Sequence, residues 1–123
     1  MFGIVNSSPR NILVQWIVQR SLVTVGKRYL SGRIIDIGCG TKPYRELISP
    51  FVTEHIGVDH EESLHNKSNV DLLGTAYSVP APNTSFDCAL CTAVLEHLEE
   101  PEQALRECHR LLKPGGVAIY SVP

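Results

Sequence analysis

The side chains with chemistry to offer stand at the ends of short apolar runs. The run Ile34-Ile35-Asp36-Ile37 closes on Gly38-Cys39-Gly40, and Lys42-Pro43 follows. A second run, "HIGVD", closes on Asp59, "NVDLLG" carries Asp71, and "SFDCALCTAV" leads to His97 in "LEHL". Two glycines after an apolar run permit unusual backbone angles and let a ligand approach the backbone with no Cβ in the way. A dinucleotide fingerprint, G-x-G-x-x-G, would need glycine where Pro43 stands. Proline there removes one N–H from the cradle that holds a pyrophosphate. The P-loop sequence of glycine, lysine and serine or threonine is not matched either. The loop therefore suits a nucleoside without phosphates.

Asp59 lies about 20 residues beyond the glycines, the offset at which an acid accepts both ribose hydroxyls. A carboxylate suits that task because it only accepts and can take two O–H donors together. The competing reading is an aspartate that caps the following turn. Asp71 could accept from an exocyclic amine, or could equally be a turn residue. Cys88 and Cys91 form a C-x-x-C inside an apparent buried strand, which sends positions three apart to opposite faces. No second pair lies at zinc spacing, and His55, His60, His65, His97 and His109 are scattered. Cys39, Cys88, Cys91 and Cys108 are expected to be reduced core thiols, with no metal, as in the cytosol.

The elements that must position these residues follow from pattern. Ser8 can cap and Pro9 open a helix, expected over residues 9–30 with Leu13, Trp16, Ile17 and Val23 among its apolar positions. "RIIDIG" reads as strand one. Pro43 can open a helix, "PYRELISPF", that Pro50 ends. "EHIGVD" is strand two, a polar segment covers 61–69, and a short strand three spans about 69–73. "YSVPAPNTS" is a loop by its prolines and turn residues, and strand four covers about 85–91. The helix 101–112 places Ala104, Leu105, Cys108, Leu111 and Leu112 at helical spacing on one face. "KPGG" stops it, and "VAIYSV" is strand five. Short apolar strands alternating with helices mean an α/β fold with a parallel sheet covered on both faces.

With 123 residues, 43% of them hydrophobic, the chain fits one domain, 1–123, with its core at 33–123. A formal net charge of −2 gives no electrostatic footprint for nucleic acid or anionic membranes. No run approaches the ~20 apolar residues that cross a bilayer, and the start has no signal-peptide pattern. A soluble, cytoplasmic protein is expected.

Four blocks in this order, "IIDIGCGTKPY", "IGVD", "NVDLLG" and "SFDCALCTAVLEHLEEPEQALRECHRLLKPGG", resemble the class I S-adenosylmethionine-dependent methyltransferases, in particular the type-11 domain. The likeness runs from Arg33 to the C-terminus, and the tail "VLEHL…P…AL.E..RLLKPGG" is its most specific part. The resemblance implies a Rossmann-like doubly wound sheet in the order 3-2-1-4-5, a truncated form of a seven-stranded fold. It implies S-adenosylmethionine as cofactor, with Asp36, Gly38, Cys39 and Gly40 lining its methionine end. Asp59 would hold the ribose with His60 beside the adenine, Asp71 and Leu72 would flank the adenine edge, and Thr92 would lie under the sulfur.

The function so implied is methyl transfer to a small-molecule or saccharide-like acceptor. A general base helps only a protic acceptor. His97 is the best-placed catalytic candidate, ahead of Glu96, and its competing reading is packing or capping at a helix end. Strand five would be an exposed apolar edge, which invites a homodimer. Two alternatives stand beside the enzyme: a non-catalytic cofactor-binding or interaction module, and a nicotinamide-dependent oxidoreductase. Pro43 and "LKPGG" argue against the latter.

Overall fold

A computed structural model of the chain describes residues 9–61, 67–92 and 94–121. Its centre is β1 (Arg33–Ile37), in which every residue after Arg33 is buried. Alternation divides that strand between two cores. Ile35 and Ile37 join Val58, Phe86, Ala89 and Cys91 on one face, and Ile34 joins Cys88 and Leu90 on the other. A strand buried on both sides must be apolar throughout, which is why the run is legible as a strand.

Around it lie β2 (Glu54–Asp59), β3 (Leu72–Leu73), β4 (Phe86–Thr92) and β5 (Leu112–Ser121). The five strands run parallel in the order β3-β2-β1-β4-β5, as expected. One face is covered by α1 (Pro9–Tyr29) and α2 (Arg45–Ile48). Leu22 of α1, Leu30 just after it, Tyr44 and Ile48 complete that core. Helix α3 (Pro101–Leu111) covers the other face with Cys108 and Leu111. The sheet is doubly wound, and α1 serves as its cover.

Several local expectations change. The helix opened by Pro43 has only four residues and passes into a 3₁₀ turn, Ser49–Phe51. Pro50 can supply no N–H to an α-helical ladder. Strand three shrinks to Leu72–Leu73, paired with Val58 and Asp59. "KPGG" is not a gap between helix and strand, because β5 begins at Leu112. Leu112 pairs with Phe86 and Val117 with Cys88, so residues 113–116 bulge out of the ladder. An edge strand tolerates such a bulge, and Pro114 within it. Leu105, expected inside, is exposed, as are Trp16 and Ile17. The Ser8 cap, the Leu13 side chain and residues 62–66 of the polar segment lie outside the described residues.

Cys88 and Cys91 enter opposite cores, as strand geometry requires. Among the described residues no cluster of His, Cys, Asp and Glu is suited to a metal ion, and no helix is long and apolar enough to cross a membrane.

Candidate functional site

Strand order reverses between β1 and β4, and an open parallel sheet receives its ligand at the carboxyl ends of such strands. The loop from Gly38 to Tyr44 leaves β1 there. Its first two amides, Gly38 and Cys39, both donate to the Val58 carbonyl of β2, at 2.8 and 3.0 Å. Gly38 and Gly40 hold φ values of 71° and 51°. A left-handed angle costs other residues roughly 1–2 kcal/mol, so glycine is the cheap choice at both. The Gly40 amide then donates to Asp59 Oδ2 at 3.1 Å, and the His60 amide to Oδ1 at 2.9 Å. Two backbone donors thus orient the buried Asp59 carboxylate against the glycine loop.

Lys42 is the loop's third left-handed residue, with φ 56°. Its side chain is buried and runs back along the sheet. The ammonium donates to Asp71 Oδ2 at 2.7 Å and to the His55 carbonyl at 3.0 Å. The same Asp71 oxygen accepts the Gly57 amide at 2.7 Å. Burial opposes charge on Asp71, but these donors prevail and hold its carboxyl below the ordinary value. Space for the lysine stem comes from Gly57. A Cβ there would stand 2.6 Å from Cys39 Sγ and 2.7 Å from Lys42 Cε.

Asp36, on the same face, contacts His55 Nε2 through Oδ2 at 2.8 Å. Burial raises the Asp36 carboxyl above its ordinary value, with His55 pulling the other way. The opposite ring nitrogen, His55 Nδ1, is buried with no hydrogen-bond partner among the described residues. Burial, and after it the Asp36 and Asp59 charges, push the Cys39 thiol up to about 12, so it stays neutral.

The expected site residues therefore divide. Asp36, Gly38, Cys39, Gly40, Asp59 and Asp71 come together around the loop and β2. Thr92 ends β4, paired with Ser121, half-buried at the carboxyl edge. His60 is exposed beside Asp59. Leu72 packs into the core on the α3 side. Its neighbour Leu73 pairs with Asp59, shares its face and is exposed, an apolar surface the sequence reading passed over. His97 sits in a 3₁₀ turn after β4 with Nε2 3.7 Å from Glu96 Oε1, its side chain 78% exposed. Lys42 is the larger omission. Its partner lies 29 residues along the chain, a separation that no periodicity marks.

Residues 35–120 match the family described as "Methyltransferase domain". The chain belongs to that family. A probable S-adenosylmethionine-dependent methyltransferase of Mycolicibacterium smegmatis is 33% identical over 96 residues, 73% of this chain and 37% of that protein. A ubiquinone biosynthesis O-methyltransferase of Pseudomonas entomophila is 30% identical, over 88% of this chain and 49% of its own length. A solved structure from Thermotoga maritima is described as a SAM-dependent methyltransferase, possible histamine N-methyltransferase. It is 33% identical with a TM-score of 0.69, over 92% of this chain and 55% of that one. The chain spans half or less of the length of both curated relatives.

The site fits S-adenosylmethionine, on which the relatives from Mycolicibacterium smegmatis and Thermotoga maritima are described as dependent. The Lys42 ammonium is turned to Asp71 and the His55 carbonyl, so the loop does not use it to cradle a phosphate. Helix α2 follows Pro43 and has only four residues, too short to present a helix dipole of any size. What the site presents is the Asp59 carboxylate, an acceptor-only group suited to the hydroxyls of a phosphate-free nucleoside.

Proposed function

We propose that this domain directs methyl transfer from S-adenosylmethionine to a small-molecule acceptor, with Asp59 as the ribose-binding group. The observation that carries the reading is the Asp59 carboxylate, fixed by the Gly40 and His60 amides at the carboxyl end of β2. Gly38, Cys39 and Gly40 line the methionine end with backbone atoms, and His60 with Leu72 and the exposed Leu73 borders the adenine. Asp36 holds the His55 ring beneath the loop, and Thr92, at the end of β4, would stand on the side of the cofactor's sulfur. When bound, the sulfonium would supply an activated methyl group with a neutral thioether as its leaving group.

The chain's contribution is alignment more than chemistry. For a hydroxyl acceptor, His97 takes the proton. Its ring is solvent-accessible, with Nε2 3.7 Å from Glu96 Oε1. The setting is cytoplasmic, which the placement of Cys88 and Cys91 in separate cores supports. Self-association through the outer edge of β5 completes the proposal.

Calorimetric titration with S-adenosylhomocysteine, and with NADH in parallel, tests the site. S-adenosylhomocysteine alone should bind. Asp59→Ala should weaken it by about tenfold, the scale of a lost charge-assisted hydrogen bond, with the fold intact by circular dichroism. Unchanged affinity in Asp59→Ala would remove the ribose assignment, and binding of NADH instead would overturn the cofactor reading.

A further inference from the structure

We propose that Lys42 is a positioning residue for the cofactor, locking the far end of the glycine loop onto β2 and β3; the proposal rests on the cofactor reading above. The loop is tied down along its length. Its start is held by the Val58 carbonyl, its middle by Asp59 through the Gly40 amide and by Asn69 Nδ2, which donates to the Thr41 carbonyl at 3.1 Å, and its end by the Lys42 ammonium. Glycine at position 42 would adopt the left-handed angle freely and give up both contacts of the ammonium, with Asp71 and with the His55 carbonyl. Lysine resists that angle and is kept in it by what its side chain grips.

The grip points away from the crevice. The His55 carbonyl belongs to the residue paired with Ile34, well below the carboxyl edge that Asp59 marks. The cofactor would therefore sense Lys42 only through the Gly40–Asp59 contact. Asp71 has a defined role in this arrangement: one of its oxygens collects both the ammonium and the Gly57 amide. It serves the lysine in place of an adenine amine. Gly57 belongs to the same device, since its missing Cβ leaves room for the lysine stem.

The experiment uses the 123-residue chain and the variants Lys42→Met, Asp71→Asn and the double variant. Two quantities are read: affinity for S-adenosylhomocysteine by calorimetry, and amide chemical shifts and hydrogen exchange by NMR without ligand. Lys42→Met should weaken binding about tenfold, the size of a lost charge-assisted tie. In the free protein it should shift the Gly38 and Gly40 amides and speed their exchange, leaving the α3 amides in place. A purely structural lysine would disturb α3 as well. Asp71→Asn should reproduce both effects, and the double variant should be no worse than either single one. Wild-type affinity in Lys42→Met, or losses that multiply in the double variant, would overturn the proposal while leaving the cofactor reading standing. Failure of the wild-type chain to bind would overturn both. If Lys42→Met does not fold, Asp71→Asn alone decides: unchanged binding and unchanged glycine amides would sink the idea.

Discussion

Gly57 shows how little room the site leaves. In Gly57→Ala the new Cβ meets Cys39 Sγ and Lys42 Cε at 2.6 and 2.7 Å. Overpacking of this kind costs about 1–3 kcal/mol, and here the strain falls on the loop that carries Gly40. The variant should melt at lower temperature and bind S-adenosylhomocysteine more weakly than its stability loss alone accounts for. An unchanged melting point and affinity would mean that the two loop side chains can swing aside. The place of Asp59 at the end of β2, beside the glycines, was legible in the sequence, because its offset from them follows from strand and helix lengths. Gly57 and Lys42 were not, since their demand comes from side chains that meet only after β1 and β2 have paired.

At the scale of elements, the loop between β3 and β4 is clamped by α3. Glu107 Oε2 accepts the Val79 amide at 2.6 Å. Arg110 donates to the Val79 and Ala81 carbonyls and to Asn83 Oδ1, while paired with both Glu107 oxygens. Arg110 as the first cause, then the Val79 amide, hold the Glu107 carboxyl low against the opposing effect of burial. Arg110→Met takes the guanidinium donor from the Ala81 carbonyl and leaves the Val79 carbonyl with the Ala81 amide alone, and should cost roughly 1–3 kcal/mol. The clamp grips the far part of the loop, so affinity for S-adenosylhomocysteine should change little. A large affinity loss with no change in a urea midpoint would contradict this division of labour. The clamp was invisible in the chain except as "E..R" in the tail, a pair that reads as ordinary surface charge. Strand positions were legible because buried parallel strands are apolar throughout. The start of β5 was not, because Pro-Gly-Gly signals a break, and only its place at the sheet edge makes the bulge tolerable.

For the whole molecule, periodicity indicates a parallel sheet but is silent on neighbour order, which depends on contacts between distant residues. The order came from resemblance, and the sheet agrees with it. That order leaves β5 paired on one side only among the described residues. Natural edges are blunted by charge, proline and bulges. The first half of β5 has all three in Lys113, Pro114 and the bulge at 113–116. Its second half, Val117 to Ser121, pairs regularly with β4 and has none of them. Val117, Ala118, Ile119 and Tyr120 are each only half-buried, so the strand is apolar and still reachable. Pairing of two such edges would satisfy their outward N–H and C=O groups and cover apolar surface. Light scattering across a concentration series should therefore show dimers or larger species that dissociate on dilution. A monomer at every concentration would show that this half of the edge is protected by other means, and the self-association would be withdrawn.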